Sequence, residues 1–181
     1  MRSATDPEAA TYVTAAYPRL MNLAGALTGN RHDAQDLVQD TMATVLIKWH
    51  KVRAATNQDA YVRRVLVNRY VSKKRLRSAS EIVSHDAVTR DRASEPLVDI
   101  ESRDEMMELL WRLPRVQRTV LVLRFYEDLS DAQIAQTLSC REGTVRSNAS
   151  RALASLREEL GSVRACQRTD SAQAPLPASA G

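Results

Sequence analysis

The chain has 181 residues and a net charge of +4, with 44% hydrophobic but only 4% aromatic residues. That is length for one ordinary domain or two small ones, with few of the large side chains that a single big core would need. Five Gly and six Pro among many Ala, Leu, Arg, Glu and Gln favour helix over sheet, because straight-chain side chains lose little freedom in a helix. The expected fold class is all-α, built as two small helical domains. No run approaches the roughly 20 apolar residues of a bilayer span, and the start MRSATDPEAATY lacks the apolar stretch of a signal peptide. No membrane insertion and a cytoplasmic location are therefore expected. Cys140 and Cys166 form no CxxC pair and stand at no zinc-ligand spacing from His32, His50 or His85, so neither a metal nor another cofactor is expected.

Charge is segregated along the chain. Lys48 to Arg77 carries ten Lys or Arg against the single Asp59, a local net of +9. Ser78 to Leu110 reverses this, with three basic residues (Arg90, Arg92, Arg103) against nine acidic ones, a net of −6. The pattern reads as a domain, an acidic tether and a second domain. The basic block is interleaved with Trp49, Tyr61 and Tyr70, a combination suited to a phosphate backbone with unstacked bases. After Leu160 the chain is poor in large apolar residues, and a disordered tail is expected.

In chain order, Tyr17 to Thr28 places Leu20, Leu23, Ala24 and Leu27 on one helical stripe that stops at Gly29 and Asn30. Asp33 to Trp49 repeats the pattern with Leu37, Thr41, Val45 and Trp49. Its other side aligns Asp33, Asp36 and Asp40, an acidic stripe fit for a basic partner and placed where the helix dipole favours negative charge. Ala60 to Leu76 can turn Val62, Val65, Leu66 and Tyr70 inward and leave Arg63, Arg64, Asn68, Arg69, Lys73 and Lys74 outside. Like charges four apart repel, so this cationic arc calls for an anionic partner. From Met106, Leu109, Leu110 and Leu113 lead to Pro114, which suits the first turn of a new helix bearing Val116, Val120, Leu121 and Leu123.

Ser130 with Gln133 three residues later is a capping-box pattern, so a helix is expected over Asp131 to Leu138. Small Ala135, then Leu138 and Val145, follow at the spacing of a helix-turn-helix, whose second helix enters a major groove with its polar face outward. That helix starts either after Ser139, paired with Glu142, or after Arg141. In the second register Glu142, Arg146, Ser147 and Asn148 fall where base edges are reached, and Arg151 further along suits a phosphate.

These blocks together resemble bacterial RNA polymerase sigma factors of the extracytoplasmic-function (ECF) group. YPRLMNLAGALTGNRHDAQDLVQDTMATVLIKWHKV with AYVRRVLVNRYVSKKRLR resembles sigma region 2, and LPRVQRTVLVLRFYEDLSDAQIAQTLSCREGTVRSNASRALASLREEL resembles region 4. Ser139 departs from the pattern, standing where the family usually has Gly. The resemblance implies an N-terminal lead over 1–16, region 2 over 17–77, an acidic linker over 78–105, region 4 over 106–160 and a tail over 161–181. It implies that Asp36, Leu37, Gln39, Asp40 and Thr41 meet the clamp helices of the polymerase largest subunit, with the flap region as a second polymerase contact. Asn68, Arg69, Lys73 and Lys74, with the segment from Trp49 to Gln58, would engage the melted minus-ten element. Arg141, Glu142, Thr144, Arg146, Ser147, Asn148 and Arg151 would meet the minus-thirty-five element. An anti-sigma factor is a further implied partner.

The expected function is thus that of an alternative sigma factor, which binds core polymerase, directs it to a promoter and helps melt the duplex. It is no enzyme, has no catalytic residue and takes no small-molecule substrate. The alternative is a one-component helix-turn-helix regulator whose N-terminal helices dimerise or sense a ligand.

Overall fold

The computed structural model describes residues 6–78 and 101–171, with side chains over 6–72 and 106–161. Most of the expected linker and the last ten residues of the expected tail lie outside these residues, as do the side chains of Lys73 and Lys74. The described residues fold all-α, and none of their helices is long and apolar enough to cross a membrane.

Helix α1 spans Pro7–Thr28, far longer than the Tyr17–Thr28 helix expected. The Asp6 carboxylate caps it by accepting from the Glu8 N–H, and Pro7 sits in the first turn, where its missing N–H costs nothing. Pro18 reads as a break, yet it lies on the exposed side of a helix that buries Ala9 and Ala16 with Leu20, Leu23, Ala24 and Leu27. The expected lead over 1–16 is accordingly helical from Pro7 onward. Gly29 ends α1 in the left-handed region at φ 73°.

The Asn30 side chain then caps α2 (Arg31–Ile47), accepting from His32 N at 2.8 Å and Asp33 N at 3.2 Å. α2 packs along α1 through Ala34, Leu37, Val38, Thr41, Met42 and Val45. It stops short of Trp49, which opens the short α3 (Trp49–Arg53) and buries beside Tyr12, ring centroids 5.6 Å apart. α4 (Gln58–Ser78) lies across this hairpin and inserts Val62, Leu66, Val67 and Tyr70.

The second half holds α5 (Glu101–Arg112), α6 (Arg115–Leu121), a π-helical turn (Val122–Tyr126), α7 (Asp131–Leu138) and α8 (Glu142–Ser171). α8 runs on past Leu160, where the tail was expected to begin. α6 and α7 pack on α8 around Val120, Leu123, Ile134, Val145, Ala149 and Ala152. Val116, expected in this core, is 39% exposed.

The two halves pack against each other rather than standing apart. The Tyr70 hydroxyl donates to Leu27 O at 2.7 Å, and Arg118 Nη1 donates to the same carbonyl at 2.8 Å and to the Tyr70 hydroxyl at 2.9 Å. Arg118 also donates to Leu110 O and Leu113 O, each at 3.0 Å, and to Trp111 O. Arg115 lies over the Tyr70 ring, 5.0 Å from its centroid. Trp111 Nε1 donates to Ala26 O at 3.3 Å, and the indole lies on Gly29 so closely that a Cβ there would stand 2.5 Å from Cδ2.

Candidate polymerase and nucleic-acid surfaces

The acidic stripe on α2 is real and turned outward. Asp33, Gln39 and Asp40 are exposed and Asp36 is half-buried, while Ala34, Leu37, Val38 and Thr41 hold the opposite face in the core. Two residues expected to touch polymerase are therefore placed otherwise. Leu37 is 3% and Thr41 0% exposed, with the Thr41 hydroxyl donating to Leu37 O at 2.7 Å. A side chain that spends its surface on the core cannot offer it to a partner, so these two fix the orientation of α2. Ile47, 78% exposed, lies two turns beyond Asp40 on the same side, an apolar neighbour that charge patterning alone did not reveal.

The cationic helix α4 is more engaged than its sequence suggests. Arg69 donates to Thr44 Oγ1 at 2.5 Å and pairs with Asp40 at 3.4 Å, so an expected minus-ten residue leans on an expected polymerase residue. Arg63 forms a largely buried pair with Glu127 at 3.1 Å, and Arg64 donates to Ser139 Oγ at 3.0 Å. Asn68 is half-buried. The aromatic expectation needs correction. Trp49 is 7% and Tyr70 4% exposed, so neither ring is available to stack on bases; a large ring near a core at helical spacing fills that core first. Tyr61 alone of the three is half-buried.

The helix-turn-helix forms as the capping pattern indicates. The Ser130 hydroxyl accepts from Gln133 N at 3.3 Å, and the Gln133 side chain accepts from Ser130 N at 2.9 Å. Ser139 ends α7 in the left-handed region at φ 53°, the conformation for which glycine is the ordinary choice. Of the two starts open for the second helix, the Arg141 register is the one adopted. Arg141 O accepts from Thr144 N at 2.9 Å and from Val145 N at 3.3 Å, and α8 begins at Glu142.

Val145, Ala149, Ala152 and Leu156 face inward from α8, which leaves Arg141, Glu142, Thr144, Arg146, Ser147 and Arg151 exposed and Asn148 half-buried. The Ser147 hydroxyl and the Asn148 amide donate back to Gly143 O and Thr144 O, each at 2.8 Å, and Arg146 pairs with Glu142 at 3.6 Å. Thr144 and Asn148 flank a cavity of about 140 Å³ shared with Val71 of α4, Val116, Val120 and Cys140. Burial there pushes the Cys140 thiol above its ordinary range.

A family model described as Sigma-70 region 2 matches residues 12–80, and one described as Sigma-70, region 4 matches residues 103–156. The chain is 36% identical over 151 residues to an RNA polymerase sigma-E factor of Streptomyces coelicolor, covering 82% of this chain and 84% of that protein. It is 30% identical over 146 residues to the ECF RNA polymerase sigma factor EcfG of Rhodopseudomonas palustris, covering 80% of each. Among solved structures, the sigma factor RpoE of Bartonella quintana, in complex with the anti-sigma factor NepR, matches with a TM-score of 0.62 at 26% identity over 83% of this chain and 95% of that one. The region 2 match occupies the helices that a one-component regulator would use for dimerisation or sensing, and that alternative falls. Two matched regions in order, with relatives aligned over most of their length, show that the chain belongs to the ECF group of RNA polymerase sigma factors.

Proposed function

We propose that this chain is an alternative sigma factor that docks on the core polymerase clamp helices through the outward face of α2 and delivers the enzyme to a promoter through α8. The docking residues are Asp36, Gln39 and Asp40, with Asp33 on the same side. Asn68, Arg69, Lys73 and Lys74 of α4 capture the minus-ten element, and the exposed arc of α8 meets the minus-thirty-five element. The factor works in the cytoplasm, performs no chemistry of its own, and answers to an anti-sigma factor, a reading supported by the Bartonella neighbour's complex with one.

One observation carries this reading: a region 2 bundle with an outward-facing acidic stripe precedes a region 4 helix-turn-helix in a single chain. Replacing Asp36 and Asp40 by Lys turns attraction into repulsion at a steered interface, where such changes amount to several kcal/mol. The double variant should fail to comigrate with core polymerase on gel filtration. Holoenzyme assembly at parental affinity would remove the stripe from the docking surface.

A further inference from the structure

Four helices meet at one point of the seam between the halves. Val71 of α4, Val116 and Val120 of α6, Leu138 at the end of α7 and Val145 of α8 close around the cavity of about 140 Å³, with Cys140 of the turn in its wall. Thr144 and Asn148 supply its polar groups, and the Asn148 amide is already committed to Thr144 O at 2.8 Å. Burial raises the Cys140 thiol, the mark of a wall that water solvates poorly. Val116 is 39% exposed, an apolar side chain that the packing of the halves leaves uncovered. Only Val71 comes from the first half, so the cavity is complete only while the halves are packed.

Alkyl walls suit an apolar molecule better than a water, which needs two to four polar partners. An apolar cavity of about 150 Å³ admits benzene, so this one has the size of a single ring. Polarizable sulfur in the wall adds to the attraction for an aromatic face or edge. The cavity also sits where it bears on DNA. Thr144 and Asn148 belong to the arc of α8 assigned to the minus-thirty-five element, and in the packed molecule they share this cavity with Val71. Ser139, next to Cys140, accepts from Arg64 of α4 at 3.0 Å. A duplex laid on Thr144 and Asn148 displaces α4 from this place, and with it the wall that Val71 provides. The duplex and the complete cavity therefore exclude each other.

Building on the sigma-factor reading above, we propose that the seam cavity is a binding site for an uncharged, single-ring aromatic molecule of benzene's size, and that its occupant holds the two halves packed. The occupant binds only the packed arrangement and the duplex only the parted one, so each lowers the affinity for the other by the same factor. Such a molecule is an effector that keeps the factor off its promoter.

The test titrates benzene into the full chain labelled with nitrogen-15 and follows its amide resonances. Saturable shifts are expected at Val71, Cys140 and Val145. Assembly of the full chain with core polymerase, on a promoter selected from a randomised library, is then measured against benzene. At ten times the benzene Kd the apparent affinity should fall by about tenfold. Val116→Phe fills the cavity with a ring of its own, and Val71→Asp places a charge in the wall from the α4 side. Neither residue is fully buried, so both variants keep the fold. Both should lose the benzene shifts and the benzene dependence of assembly. Absence of saturable shifts in the parent, or their survival in both variants, overturns the site. Saturable binding with assembly indifferent to benzene, or an equal loss of assembly in parent and variants, overturns the effector role. A parent chain that assembles no holoenzyme without benzene overturns the sigma-factor reading itself, and the amide shifts still decide the site.

Discussion

Arg118 carries a positive charge into the seam between the halves, where its partners are carbonyls at the ends of α1 and α5 together with the Tyr70 hydroxyl. Helix C-termini bear partial negative charge and unfilled acceptors, so one guanidinium serves two of them at once. Arg118→Ala removes the donor that serves the Trp111 and Leu113 carbonyls, and one of two at Leu27 O and Leu110 O, and should cost about 3 kcal/mol in urea unfolding. Arg118→Lys should recover little, because an ammonium lacks the fork. A loss under about 1 kcal/mol would mean that water replaces the guanidinium freely.

Asp59 is a second residue whose role lies in its neighbours. The Arg19 guanidinium 2.6 Å away holds its carboxyl below the ordinary range, helped by the Tyr12 hydroxyl at 2.9 Å. Burial, then that same hydrogen bond, pushes Tyr12 up to about 12. A depressed carboxylate pKa stabilises the fold above its unfolded value, about 4, and loses that contribution as pH falls through the folded value. The stability gap between the parent and Asp59→Asn should therefore be widest at neutral pH and close on acidification below about pH 4. Equal gaps at pH 7 and pH 3 in urea midpoints would refute it. The Arg19–Asp59 pair is nearly half exposed, so the gap is small.

At the scale of elements, α7 is eight residues long and depends on its ends. Ser130→Ala removes the acceptor for Gln133 N and should lower the stability of the helix-turn-helix by about 1 kcal/mol, seen as faster amide exchange in α7. Exchange at the parental rate would show that packing of Ile134 and Ala135 suffices. The capping box was legible from Ser130 and Gln133 because both partners lie within one turn. The α1, α2 and α4 stripes were legible for the same reason: Leu20, Leu23, Leu27, Val45, Val62 and Leu66 recur at helical spacing and are all buried. The start of α1 was not legible. Asp6 with Pro7 is a start signal, but Pro18 signals a break locally between it and the apolar stripe, and only packing of Ala9 and Ala16 on the rest of the bundle overrides that break. Leu37 and Thr41 show the same limit at the candidate site. Periodicity placed both on the core stripe, whereas the family motif placed both at a partner, and burial decides between them.

For the whole molecule, the contacts that join the halves were beyond reach of pattern, since Arg63 with Glu127 and Trp111 with Gly29 are separated by more than sixty residues. Gly29 tests the packing directly. Gly29→Ala imposes two burdens, a left-handed backbone costing about 1 kcal/mol and a methyl group driven into Trp111. In a Trp111→Ala background only the first remains. A double-mutant cycle on urea stability should therefore give a coupling of about 1 kcal/mol or more. Additive effects would mean that the halves do not hold this packing in solution.

The π-helical turn from Val122 to Tyr126 has a consequence of another kind. Its Glu127 N–H reaches back five residues to Val122 O, and Leu129 N–H then returns to Leu123 O at 3.0 Å. Such a turn carries one residue more than an α-turn. Removing one residue, Phe125 being the most exposed at 67%, would tighten it to α-geometry and rotate all that follows by about 100°. Glu127 would leave Arg63, and Asp131 would swing away from Arg124. The register of α7 and α8 against α4 and α6 is thus metered by residue count in this turn, and the chain there should accept exchanges of side chain far more readily than a change of length by one.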